Sequence, residues 1–459
     1  MNWLTYVIYV MGTFILEIAA ILSVGMLITF IREREWRATG LALAILLPVF
    51  AGYSVLLFVD YPGRRWVALA LVGISIFAAL LLLLPIGRNE PLRVTGEEKR
   101  VDERDAVFHR FYRLEEGTPE FEAYYKEHPE KTEFDEAVRA LPPLAGPGAK
   151  TYGSLSSPFQ IASFSIIEEI SREIDWEPQP VEESPVKASP EEFSKRVKGF
   201  ARYLGADLAG CTKLNPAYVY SHIGRSPGKW GELVSLEHEN AIALAVEMSY
   251  DMVRHAPDSA VTTETAWKYL KVGVVAMTLA RYINLLGYEA RAHVDGNYRV
   301  MCVPVAADAG LGELGRLGLL VTPKFGPRVR LAVVTTNMPL APDPPVAFGV
   351  QDFCTFCKKC ATCCPSGSVD KNDKQEYNGA EKWRSEQDTC YRYWRICGSD
   401  CGICVKVCPY SKPTTVMHNL IRWLTARNAL ARRFALIGDD FFFGRKPKTK
   451  YSLPEWHGK

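Results

Sequence analysis

The chain has 459 residues, with 54 Lys+Arg against 52 Asp+Glu and a net charge of +2. That balance excludes a global field for polyanions, so nucleic acid is not an expected partner. Hydrophobic residues at 48% and charged residues at 23% exclude a mostly disordered chain. The average hides an asymmetry. Residues 1–86 hold five Arg, three Glu and one Asp, with no Lys or His. An apolar head precedes an ordinary soluble body.

The head contains three apolar runs, Trp3–Phe30, Thr39–Val59 and Trp66–Ile86. Each reaches the ~20 residues needed to cross a bilayer, so 1–86 is expected to be a three-helix membrane anchor. Trp3, Trp36 and Trp66 stand at run ends, where indoles favour the interface. Glu17 interrupts the first run and is expected to face the bundle interior. Arg32, Arg34 and Arg37 in the first loop, with Arg88, Arg93, Lys99 and Arg100 after the third run, outnumber Arg64 and Arg65 in the second loop. This predicts a multi-pass protein with its body in the cytoplasm. Arg64-Arg65 before an apolar run also fits an export signal, which would place the body on the exported face.

Residues 87–194 are polar, rich in Glu, and end in an extended connection, EPQPVEESPVKASP at 177–190. A compact α/β core is expected over 195–345. Pro190–Leu204 predicts a helix capped by Ser189, and Ala241–Met248 a buried strand. Thr263–Leu286 predicts a long helix stopped at Gly287. Val300–Val305 and Arg330–Thr335 read as further strands. Between them, AGLGELGRLGLL (309–320) places Gly310, Gly312 and Gly315 close together. It lacks the strand–loop–helix setting of a dinucleotide loop; close backbone approach to a large flat cofactor, or simple tight turns, fits better. The stretch 416–459 is a basic tail: from Leu420 onward it has nine Lys/Arg and three Asp/Glu, a solvated or packed terminus more than a lipid-binding surface.

Ten of the twelve cysteines lie between Cys354 and Cys408. That crowding in a large chain favours metal or cluster binding over disulfides. Cys354-x2-Cys357-x2-Cys360-x3-Cys364-Pro365 is the bacterial ferredoxin run, whose fourth Cys ligates the other cluster. Cys401-x2-Cys404-x3-Cys408-Pro409 follows and needs one more ligand, Cys390 or Cys397. The expected sets are Cys354, Cys357, Cys360 and Cys408 for one [4Fe–4S] cluster, and Cys364, Cys401, Cys404 with Cys390 or Cys397 for the other. Residues 346–415 thus form a two-cluster ferredoxin-like domain. Cys211, Cys302 and Cys363 are left as spectators.

The segments CTFCKKCATCCPSGSV (354–369) and EKWRSEQDTCYRYWRICGSDCGICVKVCPYSKP (381–413) resemble those of corrinoid-dependent reductive dehalogenases. So do YLGADLAGCTKLNPAYVYSHIG (203–224), LGYEARAHVDGNYRVMCVPVAADAGLGELGRLGLLVTPKFGPRVRL (286–331) and TTNMPL (335–340). The resemblance covers roughly 195–415. It implies an α+β fold: a nitroreductase-like cobalamin-binding core joined to a ferredoxin-type 2×[4Fe–4S] domain, here preceded by three transmembrane helices. It implies base-off cobalamin, and no Asp-x-His-x-x-Gly motif occurs among the eight His. It favours Cys390, which precedes the aromatic CYRYW element. It implies a proton-donating Tyr, matched to Tyr269, a cation beside it, matched to Arg330, and a pocket Asn, matched to Asn297. A cation beside a phenol favours the phenolate left after proton release.

The implied activity is reductive cleavage of carbon–halogen bonds in a small organohalide, with electrons from a membrane donor such as the quinone pool or a dehydrogenase. Family members usually dock on a separate three-helix anchor with a Glu pair. Here the apolar helices share the chain, and Glu33 and Glu35 in RERE resemble that pair. Two alternatives remain: a corrinoid reductase like the epoxyqueuosine reductases, for which Asp295 would matter, and a membrane ferredoxin module that only relays electrons.

Overall fold

The computed structural model describes residues 3–59, 62–174, 184–226, 228–446 and 453–457. Half of the expected connection at 177–190, residues 177–183, lies outside these residues. The chain divides into two compact units: Met1–Asn89 with Lys412–Lys446, and Glu90–Ser411 with the terminal segment.

The first unit opens with three helices, α1 (Trp3–Arg32), α2 (Trp36–Phe58) and α3 (Arg64–Leu83). Within α1, Val10–Arg32 is long and apolar enough to cross a membrane, and so is α3. The apolar stretch of α2, Trp36–Gly52, is shorter, and Pro48 lies inside that helix. Among the described residues, two of the three expected spans meet the length requirement.

The second unit begins with short strand β1 (Arg93–Val94) and helices α4 (Val107–Arg113), α5 (Pro119–Glu127), α6 (Pro129–Arg139) and α7 (Ser157–Glu173). This region is polar in sequence because an ion cluster ties it together. Arg110 is fully buried and chelates Asp135 at 2.7 and 3.1 Å, and its Nη2 also donates to Asp388 at 2.8 Å. The bidentate fork fixes geometry as well as charge.

The core follows: α8 (Pro190–Tyr203), β2 (Leu208–Lys213), β3 (Asn240–Glu247), α9 (Tyr250–Val253), α10 (Ser259–Leu285), β4 (Ala290–His293), α11 (Cys302–Asp308), β5 (Glu313–Leu314), β6 (Leu320–Val321) and β7 (Val329–Thr336). Ser189 caps α8, its hydroxyl accepting from the Glu192 amide at 3.2 Å. Four strands form an antiparallel sheet in the order β2-β3-β7-β4. Side chains alternate across β3. Ile242, Leu244 and Val246 join the cluster under α8 and α10; Ala241, Ala243 and Ala245 join the cluster under α11. Burial on both faces explains why this strand reads as a continuous apolar run.

The expected strand at Val300–Val305 is instead a single bridge from Val300 to Val219 followed by helix α11. A short apolar run cannot be told from a buried helix by periodicity. Pro304 falls in the first helical turn, where its missing N–H costs nothing.

The remaining elements of this unit are α12 (Val350–Cys357), α13 (Lys359–Cys363), β8 (Gln375–Tyr377), β9 (Ala380–Lys382), α14 (Gln387–Cys397) and α15 (Ile403–Lys406). β1 pairs with β9, so residues after the anchor are woven into the cysteine-rich region.

The chain then returns to the first unit through α16 (Val416–Arg427) and α17 (Ala429–Phe443). Residues 416–443 of the basic stretch expected as a solvated or packed terminus are these two helices. Phe442 and Phe443 pack on Phe30, Ala38 and Ala42. Asn428 caps α17 and donates to the Leu84 carbonyl at 2.7 Å. Glu33 and Glu35 of the RERE loop are buried, and Glu33 Oε1 lies 3.0 Å from His418 Nε2. An amphipathic helix pair covers the loop end of the bundle.

Gly210 in β2 marks where α11 meets the sheet: a Cβ there would lie 2.1 Å from the Ala309 carbonyl oxygen. Gly210→Ala should destabilise the core by about 3 kcal/mol. A thermal melt of the purified variant measures this; an unchanged melt would contradict the packing described.

Candidate dicluster centre and adjoining recess

Helix α12 carries Cys354 and Cys357, and Lys358 at φ 53° ends it. Helix α13 carries Cys360, with Cys364 just beyond its end. Cys390 and Cys397 lie on α14 and Cys404 on α15; Cys401 takes a left-handed φ of 58° between them, and Cys408 precedes Pro409. Two successive left-handed residues, Cys401 and Gly402, turn the chain back toward the first motif.

The thiols fall into two electrostatic groups. Cys360 is pushed up by burial first and then by Cys354, Cys408, Cys404 and Cys357. Cys390 is pushed up to about 12 by burial, Cys404 and Cys364, with Cys397 a lesser neighbour. Cys397 instead directs its sulfur to Ser399, 3.4 Å from that carbonyl and 3.5 Å from its hydroxyl. Buried thiols that repel each other's ionisation need a bound cationic centre to become thiolates. Among the described residues no three His, Cys, Asp or Glu side chains converge as a single ion would require. A four-iron cube is wider than one ion and holds its ligands further apart. The x2 and x3 spacings and the mutual influence of these buried thiols fit two cubanes.

Gly310, Gly312 and Gly315 each sit where the chain's own fold leaves no room for a Cβ. A Cβ at Gly312 would meet the Val321 carbonyl oxygen at 2.2 Å, at Gly315 the Val321 side chain at 2.8 Å, and at Gly310 the Pro344 carbonyl oxygen at 2.6 Å. The close approach is to the chain's own fold. The same loop braces the cysteine region. Glu313 Oε1 accepts from the amides of Phe348 and Val350 at 2.6 and 3.2 Å, at the start of α12. Arg316, fully buried, donates to the carbonyls of Cys354, Asp370 and Asn372 at 3.0, 2.9 and 2.7 Å, with its guanidinium 4.6 Å from the Trp383 ring centre.

A recess lies beside this centre. Tyr269 on α10 has the Arg330 guanidinium 5.1 Å from its ring centre. Arg330, on β7, donates to Thr265 Oγ1 at 2.7 Å and stands 3.8 Å from Asp400 Oδ2. Asp400 directly precedes Cys401, and its amide donates to Thr262 Oγ1 at 3.0 Å. Burial pushes the Tyr269 phenol up, and Arg330 is the largest opposing influence. Asp295 pairs with Arg225 at 2.7 Å, and Arg225 lies 5.6 Å from the Tyr298 ring centre. Both of these charges act on Tyr269. Tyr112 is 57% exposed, yet burial pushes its phenol up, with Asp400, Asp295 and Arg225 among its neighbours. A ring that water reaches while protein crowds it lines a concavity. Tyr220 and Tyr298 are only partly buried and show the same shift. Arg330 Nε and Asp400 Oδ2 are buried without a hydrogen-bond partner. A recess walled by phenols, with unsatisfied polar atoms, fits a large cofactor carrying polar groups.

Tyr269 and Arg330 are brought together as the sequence predicts. Asn297 is not at their contact. It is buried, its Oδ1 accepting from Ser226 at 2.8 Å and Arg291 at 2.7 Å, and its Nδ2 donating to the Ser171 carbonyl at 2.8 Å. It fixes the turn bearing Asp295. Arg225 and Asp400 were missed as recess residues by the sequence reading; their only signal is adjacency, to SHIG and to Cys401. Cys211 is buried, its thiol pushed up to about 11, and Cys302 is likewise held neutral by burial.

This geometry defines an iron–sulfur protein with an α/β core and a phenol-lined recess. The family described as 4Fe-4S dicluster domain matches residues 353–412. The chain is 34% identical over 321 residues to the tetrachloroethene reductive dehalogenase of Sulfurospirillum multivorans, covering 62% of this chain and 63% of that one. It is 35% identical over 305 residues to the tetrachloroethene reductive dehalogenase of Dehalobacter restrictus, covering 55% and 54%. The chain thus spans a little over half to under two thirds of these curated relatives. A solved catabolic reductive dehalogenase shares the fold, with a TM-score of 0.62 at 24% identity, over 77% of this chain and 48% of that one. Over these spans the chain is similar to reductive dehalogenases.

Arg316 holds two segments of the cysteine region through three carbonyls. Arg316→Gln should cost about 3 kcal/mol, because buried carbonyls lose a charged donor. Chemical denaturation of the anaerobic protein reads this; retention of full stability would contradict the bracing role.

Proposed function

We propose that this chain is a membrane-anchored reductive dehalogenase that replaces a halogen of a small organohalide by hydrogen. The observation that carries the reading is the Arg330 cation held over the Tyr269 phenol beside a two-cluster domain. The reaction balances as R–X plus two electrons and one proton giving R–H and X⁻.

Cys354, Cys357, Cys360 and Cys408 would hold one [4Fe–4S] cluster. Cys364, Cys390, Cys401 and Cys404 would hold the other. Cys390 is chosen over Cys397 because the Cys397 sulfur turns to Ser399. Base-off cobalamin in the phenol-lined recess, in a nitroreductase-like core, would supply a low-valent cobalt centre able to cleave the carbon–halogen bond. Tyr269 gives its hydroxyl proton to the carbon that loses the halogen. Arg330 stabilises the phenolate left behind, and Thr265 and Asp400 keep the guanidinium in place. Arg225 and Asp295 neutralise each other on the recess wall, and Asn297 positions the turn that carries Asp295.

α1, α2 and α3 would form a multi-pass anchor, with the basic loops placing the body in the cytoplasm. The electron donor would be a membrane component, the quinone pool or a dehydrogenase. Reduction of an epoxide, as in the epoxyqueuosine reductases, would use Asp295 as the acid. Its 2.7 Å ion pair with Arg225 makes it a poorer donor than Tyr269. A bare electron relay would leave the recess without purpose.

Anaerobic purification after corrinoid supply, with cobalt and iron analysis and electron paramagnetic resonance, tests the cofactor set. Iron without cobalt would favour the relay. Tyr269→Phe should lower dehalogenation by about 10²–10⁴-fold with metal content unchanged. Because burial raises the Tyr269 pKa above its usual 10, the phenol stays protonated below that value, and loss of the donor falls on the alkaline side of pH 10. Arg330→Gln should move that limb further alkaline and slow the reaction at neutral pH. A pH–rate profile shifted the other way would remove Arg330 from its role.

Cys390→Ser should lose about four of about eight irons per chain, whereas Cys397→Ser should keep them all. The reverse pattern would reassign the ligand.

A further inference from the structure

Helix α17 has two apolar sides. One carries Phe442 and Phe443 against Phe30, Ala38 and Ala42. The other carries Leu430, Phe434, Ile437 and Phe441, all exposed, at spacings of four, three and four residues. That spacing makes a single stripe along the helix. On α16, Val416 and Trp423 are exposed and seven residues apart, two turns on one face. A helix that had to cover the bundle and then meet water would need only the first side. Four large apolar side chains in line on the second side call for an apolar neighbour.

The charges beside the stripe narrow what that neighbour is. Arg433 is exposed next to Phe434, and Arg445 and Lys446 follow the end of α17. The Arg427 guanidinium lies 4.4 Å from the Trp423 ring centre. Aromatic rings flanked by guanidinium and ammonium groups suit the headgroup level of a bilayer, with anionic lipid meeting the cations. The surface is also continuous with one already apolar. α17 docks on α2, and both α1 and α3, which have the length to span a bilayer, carry exposed apolar side chains such as Phe14, Ile21, Ile74 and Phe77.

We propose that α16 and α17 form an interfacial helix pair of the anchor, with the stripe Leu430–Phe434–Ile437–Phe441 buried in the acyl boundary and the flanking Arg and Lys on anionic headgroups. This rests on the reading of α1 and α3 as membrane helices. Five helices, rather than three, then contact the bilayer.

The test uses the full chain in vesicles of phosphatidylglycerol and phosphatidylcholine. A photoreactive p-benzoylphenylalanine replaces Phe434, Ile437 or Phe441 in turn, and Tyr203, which is 86% exposed in the soluble unit, as control. After flotation and irradiation, lipid adducts are read by mass spectrometry. Adducts at the three stripe positions, at least tenfold above the Tyr203 position and enriched in phosphatidylglycerol, are expected. Flotation without adducts at the stripe overturns the proposal and leaves the anchor reading intact. Adducts with a second copy of the chain assign the stripe to self-association and also overturn it. Failure to float overturns both.

Discussion

Arg330 has to stay charged while largely withdrawn from water, its side chain 16% exposed, and the recess depends on how the fold permits that. A lone guanidinium in a protein interior is costly. Here β7 holds Arg330 between the Tyr269 ring, the Thr265 hydroxyl and the Asp400 carboxylate. These partners come from α10 and from the loop before Cys401. The sheet fixes β7 against β3, with Arg330 opposite Val246. α10 lies over the same sheet, its Val272, Val275, Ala276 and Leu279 in the cluster with Ile242 and Leu244. A slip of one residue in β7 would turn Arg330 to the other face and leave the phenol without its cation.

Fully buried arginines do comparable work at the seams between segments. Arg110 joins the helices after β1 to α14, which carries Cys390. Arg316 ties the loop after α11 to the first cysteine motif. Arg328 donates to the Ser411 carbonyl at 2.6 Å and pairs with Glu247 at 3.0 Å, joining the end of the cysteine region to β3. Each spans chain distances that no local hydrogen bond could cover. The planar fork can satisfy several acceptors in fixed geometry, which an ammonium on a flexible stem cannot. The cysteine region is thereby locked to the core rather than tethered to it.

The sequence was most informative where chemistry fixes spacing. Seven cysteines point to two cubanes because each x2 and x3 interval is set by cluster geometry, while the eighth ligand has no such spacing. Strand β3 and helices α8 and α10 were legible because burial imposes a period or a solid apolar run. α11 was not, since Cys302–Val305 is too short to show a period. The glycines at 310, 312 and 315 signalled close approach, and a Cβ at each would meet the chain's own atoms. Arg225 and Asp400 were invisible, because a charged residue in a loop shows nothing of what folds against it. The docking of α16 and α17 was hidden for a related reason: basic residues dominate the composition, while the packing is set by a few phenylalanines.

Asp400 and Cys401 are bonded neighbours, and this links two kinds of charge. Asp400 faces Arg330 at 3.8 Å, and Arg330 faces the phenol of Tyr269 at 5.1 Å from the ring centre. Negative charge gained at the sulfur of Cys401 is felt at Asp400 and Arg330 through a poorly screened interior. An added electron there makes the surroundings more favourable to a retained proton and less favourable to a phenolate. Under the proposed function, loss of that electron from a cluster held at Cys401 would reverse the bias and favour proton release from Tyr269. The ion pair that keeps Arg330 in position would then couple the proton on Tyr269 to the charge at Cys401.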